Sequence, residues 1–158
     1  MTQYSVFIVE DNGTKLQEIR NALPEEFQED CLDTPSIAWA YRALANRDFD
    51  LVILDMTFQV SNDPSNQLAK ESLAGIELLQ YMDRKGVTSP VIVATQHTAF
   101  HTPDLPGIES INQLDELLSD LFPVNYFTTV HVDLAGEGWK EQLAAAALQA
   151  VMSRRERR

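Results

Sequence analysis

Three short stretches restrict what this chain can fold into. Val6-Phe7-Ile8-Val9, Leu51-Val52-Ile53-Leu54 and Val91-Ile92-Val93-Ala94 are unbroken apolar runs, without the alternation of a strand that has one wet face. Such strands need cover on both faces, which a parallel sheet between two helical layers provides. Each run stops on a polar side chain: Glu10 and Asp11 after the first, Asp55 after the second, Thr95 after the third. In an open α/β sheet the carboxyl ends of the strands share one edge, and that edge is where sites form.

The segments between the runs carry helical signals. Thr14 reads as a cap for a helix with Leu16, Ile19 and Leu23 on one face, stopped by Pro24. A weaker strand falls within residues 27–32, where acids interrupt the pattern as they do on an edge. Thr34-Pro35 reads as cap and first position of a second helix, with Ile37, Ala40, Tyr41 and Leu44 as its stripe. Helix resumes near Ser72 with Ile76, Leu79 and Met82, and Lys85-Gly86 stops it. Ile111, Leu114, Leu117, Leu118 and Leu121 form a fourth helical face ended by Pro123. The β-branched and aromatic residues 126–132 read as a fifth strand, and a last helix runs from about Trp139 through the alanines at 144–147. Residues 59–70 and 96–107 read as exposed loops, and residues 154–158 as a frayed basic tail. Five strands alternating with five helices predict an α/β fold: one domain over residues 1–153, built on a parallel sheet with helices on both faces.

Charge narrows the function classes. Lys plus Arg total 12 against 24 Asp plus Glu, a formal net charge of −12, which repels phosphate backbones and anionic lipid. Direct nucleic-acid binding and membrane association are therefore not expected. The single Cys31 forms no internal disulfide, and no Cys/His cluster has zinc spacing. Neither a signal peptide nor a membrane span is evident, so a cytoplasmic location is expected.

Glu10, Asp11 and Asp55 on one sheet edge would repel one another unless a cation or a proton compensates. An all-oxygen ligand set favours a hard ion, most simply Mg2+. A carboxylate beside such an ion is a competent nucleophile toward a phosphoryl group. Thr95 could donate a hydrogen bond to one of the transferred oxygens.

In their order along the chain, Phe7-Ile8-Val9-Glu10-Asp11-Asn12, Leu51 to Asp55, and Val91 to Thr95 resemble the receiver domain of two-component response regulators. The interval from Asp11 to Asp55 is that family's, and Gly75-Ile76-Glu77-Leu78-Leu79 resembles the start of its third helix. The resemblance implies a flavodoxin-like (βα)5, doubly wound parallel five-stranded sheet of order 2-1-3-4-5. It also implies that Asp55 accepts the phosphoryl group, that Glu10 and Asp11 hold magnesium, and that Thr57 gives the metal a backbone carbonyl. Thr95 would be the hydroxyl that follows the phosphoryl group, and Tyr126 the aromatic switch. The implied partners are a histidine kinase or phosphotransfer protein as donor and a downstream protein as target, with homodimerisation through the last helix and fifth strand. The implied catalysis is at most self-phosphorylation and dephosphorylation of the aspartyl site.

The chain departs from the family pattern at several positions. The family's fifth-strand Lys, three residues after the aromatic, is Thr129, and the Pro after it is Val130. Gln59 replaces a usual Pro, and Gln96 a usual small residue. The loops at 59–74 and 96–110 are each longer by about ten residues. No effector domain follows, so a stand-alone signalling domain is expected. Lys70, Lys140, His97 and His131 are candidates to replace the missing cation. Two readings stay open: a receiver phosphorylated on Asp55, acting through protein contacts, and a pseudo-receiver that serves only as an interaction module. A phosphohydrolase of the haloacid dehalogenase type ranks below both, because its second Asp would stand where Thr57 is.

Overall fold

The computed structural model describes residues 2–56, 74–98, 100–102 and 105–156. Thr57, Lys70, Ser72 and most of the long loop after Asp55 lie outside the described residues.

The apolar runs form the strands expected of them. Strand β1 (Ser5–Val9), β3 (Leu51–Leu54) and β4 (Val91–Thr95) pair in parallel at the centre of a five-stranded sheet. Strand β2 (Asp30–Thr34) flanks β1, and the hairpin formed by β5 (Phe100–Thr102) and β6 (Leu105–Ile108) stands apart from the sheet. Strand β7 (Tyr126–His131) pairs with β4 and completes the order β2-β1-β3-β4-β7. Without the hairpin strands this is the 2-1-3-4-5 order of a flavodoxin-like fold.

Alternate residues of the central strands enter two separate cores. Phe7, Val9, Val52, Leu54 and Val93 pack against α2 (Ile37–Asn46), α3 (Ala74–Lys85) and α4 (Ile111–Leu121). Val6, Ile8, Leu51, Ile53, Ile92 and Ala94 pack against α1 (Gly13–Ala22) and α5 (Gly138–Glu156). Each such side chain, taken fully out of water, contributes about 1.5–3 kcal/mol, so both faces of the sheet must be covered and no polar alternation survives.

Several boundaries differ from those expected. Asn12, rather than Thr14, caps α1 by accepting from the Lys15 N–H, and Ser36, rather than Thr34, caps α2. Thr34 instead closes β2, which begins at Asp30, inside the expected 27–32, and runs two residues past Leu32. A two-stranded hairpin occupies part of the stretch expected to be a loop over 96–107. Helix α5 continues through Glu156, past the expected onset of fraying at Arg154. Arg154 is buried: its guanidinium donates to the Phe49 carbonyl at 2.7 Å and to both oxygens of Asp48 at 2.7 and 2.8 Å. The periodicity of the last turn is too short to show such a contact, which is made 106 residues away in sequence.

Candidate functional site

The strand ends extend their ladders by one residue each, and this fixes the polar side chains that follow. The Glu10 N–H donates to the Thr34 carbonyl at 3.1 Å, and the Asp55 N–H donates to the Val9 carbonyl at 3.1 Å. Thr95 ends β4 and its carbonyl accepts from the Val132 N–H at 2.8 Å. Glu10, Asp55 and Thr95 are thereby held on one sheet edge by three adjacent strands, and all three are buried.

Glu10, Asp11 and Asp55 converge as expected. Each offers a carboxylate oxygen, and these oxygens lie within 4.8 Å of one another. Asp11 is exposed, so the cluster opens to solvent on that side. The Thr95 hydroxyl oxygen accepts from the His97 N–H at 3.1 Å, which orients it at the end of its strand.

The edge also carries a cation, at a position that the sequence reading did not single out. Lys15, only 1 % exposed, sends its Nζ to within 2.5 Å of Glu10 Oε1 and 3.4 Å of Asp55 Oδ2, and donates to the Ala94 carbonyl at 2.8 Å. One ammonium thus spans the ends of β1, β3 and β4. Its position is set locally: Glu10 Oε2 accepts from the Asn12 N–H at 3.1 Å, and Asn12 Oδ1 accepts from the Lys15 N–H at 3.1 Å. That pair of bonds starts α1 with Lys15 in its first turn, one helical turn before the core residue Ile19. The signal was present in the sequence as a lysine on the buried stripe, four residues before Ile19 and next to an acid pair.

Two of the candidate cations, Lys140 and His131, have other partners. Lys140 Nζ lies 2.9 Å from both Glu18 and Glu137, and the His131 ring meets the Gln96 carbonyl at 3.2 Å. Thr129 and Tyr126 are brought together on β7. The Tyr126 hydroxyl donates to Asp115 Oδ1 at 2.6 Å and shares a 2.5 Å hydrogen bond with Thr129 Oγ1. Burial and the Asp115 carboxylate push its phenol well above the ordinary range. Thr129 pairs with Val93, two positions before the end of β4, so its hydroxyl serves the aromatic.

The electrostatics leave room for a divalent ion. Of these four side chains three are carboxylates and one is an ammonium, an acidic balance that suits a divalent cation. Glu10 Oε1 is buried and receives no directed hydrogen bond among the described residues, its near neighbour being the Lys15 amine. Burial pushes the Glu10 carboxyl up to about 7, against the pull of Lys15, so this group is short of positive charge. All-oxygen donors, one of them exposed, fit a hard ion that keeps part of its water.

No protein-family model matches the chain. A curated relative, the Detocs response regulatory protein DtcB of Enterobacter cloacae (strain JD6301), is 30 % identical over 143 residues, covering 87 % of this chain and 94 % of that protein. Among solved structures, the phosphorylated cyanobacterial phytochrome response regulator RcpA superposes with a TM-score of 0.59 at 20 % identity, covering 96 % of each chain. The signal receiver domain of an HD domain-containing protein from Pseudomonas fluorescens Pf-5 superposes with a TM-score of 0.61 at 16 % identity, covering 98 % of each chain.

Proposed function

Because the chain belongs to the response regulator receiver family, we propose that it is a signalling domain switched by phosphorylation of Asp55. The observation that carries this reading is the convergence of Glu10, Asp11 and Asp55 oxygens within 4.8 Å at the carboxyl edge of the sheet. Glu10, Asp11 and Asp55 would hold Mg2+, with the Thr57 carbonyl as a further ligand. When bound, the ion supplies charge compensation for the transferred oxygens.

The chain's own residues do the rest. An Asp55 carboxylate oxygen forms a bond to phosphorus as the bond from phosphorus to the donor breaks, and the electron pair leaves with the donor. The donor is a phosphohistidine on a kinase or phosphotransfer protein, whose imidazole departs. Thr95, at the end of β4, would donate to a phosphoryl oxygen. Water later hydrolyses the acyl phosphate, so catalysis by the chain is limited to forming and clearing its own aspartyl phosphate. Output passes through protein contacts. Among the described residues no helix is long and apolar enough to cross a membrane, which is compatible with the cytoplasmic location we propose.

The test is to incubate the protein with magnesium and acetyl phosphate, read by intact mass, or with magnesium and beryllofluoride, read by amide NMR shifts. A mass gain of one phosphoryl group that is lost in Asp55→Asn is expected. A folded wild type that responds to neither reagent would leave the pseudo-receiver reading standing instead.

A further inference from the structure

We infer that Lys15 is the cation that holds the phosphoryl group on Asp55, a role carried from the first turn of α1 rather than from the fifth strand of the sheet. The inference rests on Asp55 being the acceptor. Its basis is the 3.4 Å approach of Lys15 Nζ to Asp55 Oδ2, the 2.5 Å approach to Glu10 Oε1, and the near-complete burial of this lysine. A buried ammonium is costly unless paired, and here each of its contacts belongs to the reacting edge: two carboxylates and the Ala94 carbonyl. Thr129 carries no charge and is engaged with Tyr126, so it leaves this task to another residue.

As the bond between Asp55 and phosphorus forms, negative charge arrives at the end of β3. The Lys15 amine already lies against that carboxylate and needs only to shift from Glu10 toward a phosphoryl oxygen. A fixed positive donor aimed at developing charge in a buried site is typically worth about 10²–10³ in rate. The same ammonium stands beside the proposed metal ligands, so it weakens their hold on a divalent cation by like-charge repulsion. Lys15 therefore acts in opposite directions on the two ligands of the site. A merely structural lysine would weaken both when removed.

Lys15→Met keeps the length of the aliphatic stem, so it is the primary variant. Its magnesium affinity, read by NMR titration, should rise by roughly tenfold from the lost repulsion. Acyl phosphate formation from acetyl phosphate should slow by about a hundredfold. Lys15→Arg should recover part of that rate, and Thr129→Lys added to Lys15→Met should recover part of it from the other side. In the wild type, the Lys15 side-chain ammonium resonance should shift on adding magnesium and beryllofluoride, a measurement that needs no folded variant.

An Asp55-dependent wild-type reaction, combined with an unmoved Lys15 resonance or a Lys15→Met rate equal to wild type, would overturn the role of Lys15 and leave the acceptor reading intact. A wild type that takes no phosphoryl group removes the acceptor reading and the role of Lys15 with it.

Discussion

Gly75 offers a direct test of how tightly the Asp55 edge is built. A Cβ at this position would lie 2.9 Å from the Asp55 carbonyl oxygen, 2.9 Å from Met56 Cα and 3.1 Å from Met56 Sδ. The first two are main-chain atoms of the segment carrying Asp55, so they cannot swing aside as a flexible side-chain end could. The Gly75 N–H also donates to the Met56 carbonyl at 3.2 Å, which holds the start of α3 against that segment. Overpacking of a tight core costs about 1–3 kcal/mol, and two backbone clashes place Gly75→Ala near the upper end. For a domain of this size each kcal/mol moves Tm by about 2–4 °C, so a fall of about 6–12 °C is expected. The matched control is Gly138→Ala at the first position of α5, where a Cβ meets nothing within 4 Å. Alanine favours helix there, so its Tm should stay level or rise slightly. Thermal unfolding followed by circular dichroism separates the two variants. Below its own transition, Gly75→Ala should also bind beryllofluoride more weakly, because the clash is relieved by moving Asp55. If Gly75→Ala melted with the Gly138→Ala control, the close packing of α3 against the Asp55 segment would be wrong.

Three further outcomes follow from named contacts. Glu10 holds its proton more tightly when folded, up to about 7 against an ordinary 4.5, so its contribution to stability is complete below 4.5 and is lost as pH rises through 7. In chelator-containing buffer, urea titrations across that range should show the wild type losing on the order of 1–3 kcal/mol relative to Glu10→Gln, and a parallel pair of curves would contradict the assignment. Tyr126→Phe removes a hydroxyl that serves both Asp115 and Thr129, which should cost about 1 kcal/mol. In an ultraviolet alkaline titration one of the four tyrosines should ionise only as the protein unfolds, and that phase should vanish in the variant. Arg154→Met strips donors from the Phe49 carbonyl and Asp48, and should lower stability by about 1–3 kcal/mol in urea, whereas a frayed tail would show no change.

The fold was legible where burial is uniform along a strand. Runs such as Leu51-Val52-Ile53-Leu54 have no polar alternative position, so strand type, cover on both faces and the polar edge followed from composition along the chain. The acid cluster was legible for the same reason: in a parallel sheet, strand ends coincide whatever the details of packing. Local competition hid more. Thr14 and Asn12 are both competent caps, and only the bond from Glu10 to the Asn12 N–H settles which one starts α1. The hairpin of β5 and β6 lacks alternation long enough to be read from a single sequence.

What the sequence determined by itself, then, was a buried carboxylate at a sheet edge with two more acids beside it and no lysine on the fifth strand. Tertiary structure decided how that charge is balanced. Lys15 is 40 residues from Asp55 and 79 from Ala94 along the chain, and a charged residue in a helical first turn ordinarily reads as solvated surface. Only the packing of α1 against the sheet turns its side chain inward, because the helix face that buries Ile19 carries Lys15 one turn earlier, over the ends of β1, β3 and β4.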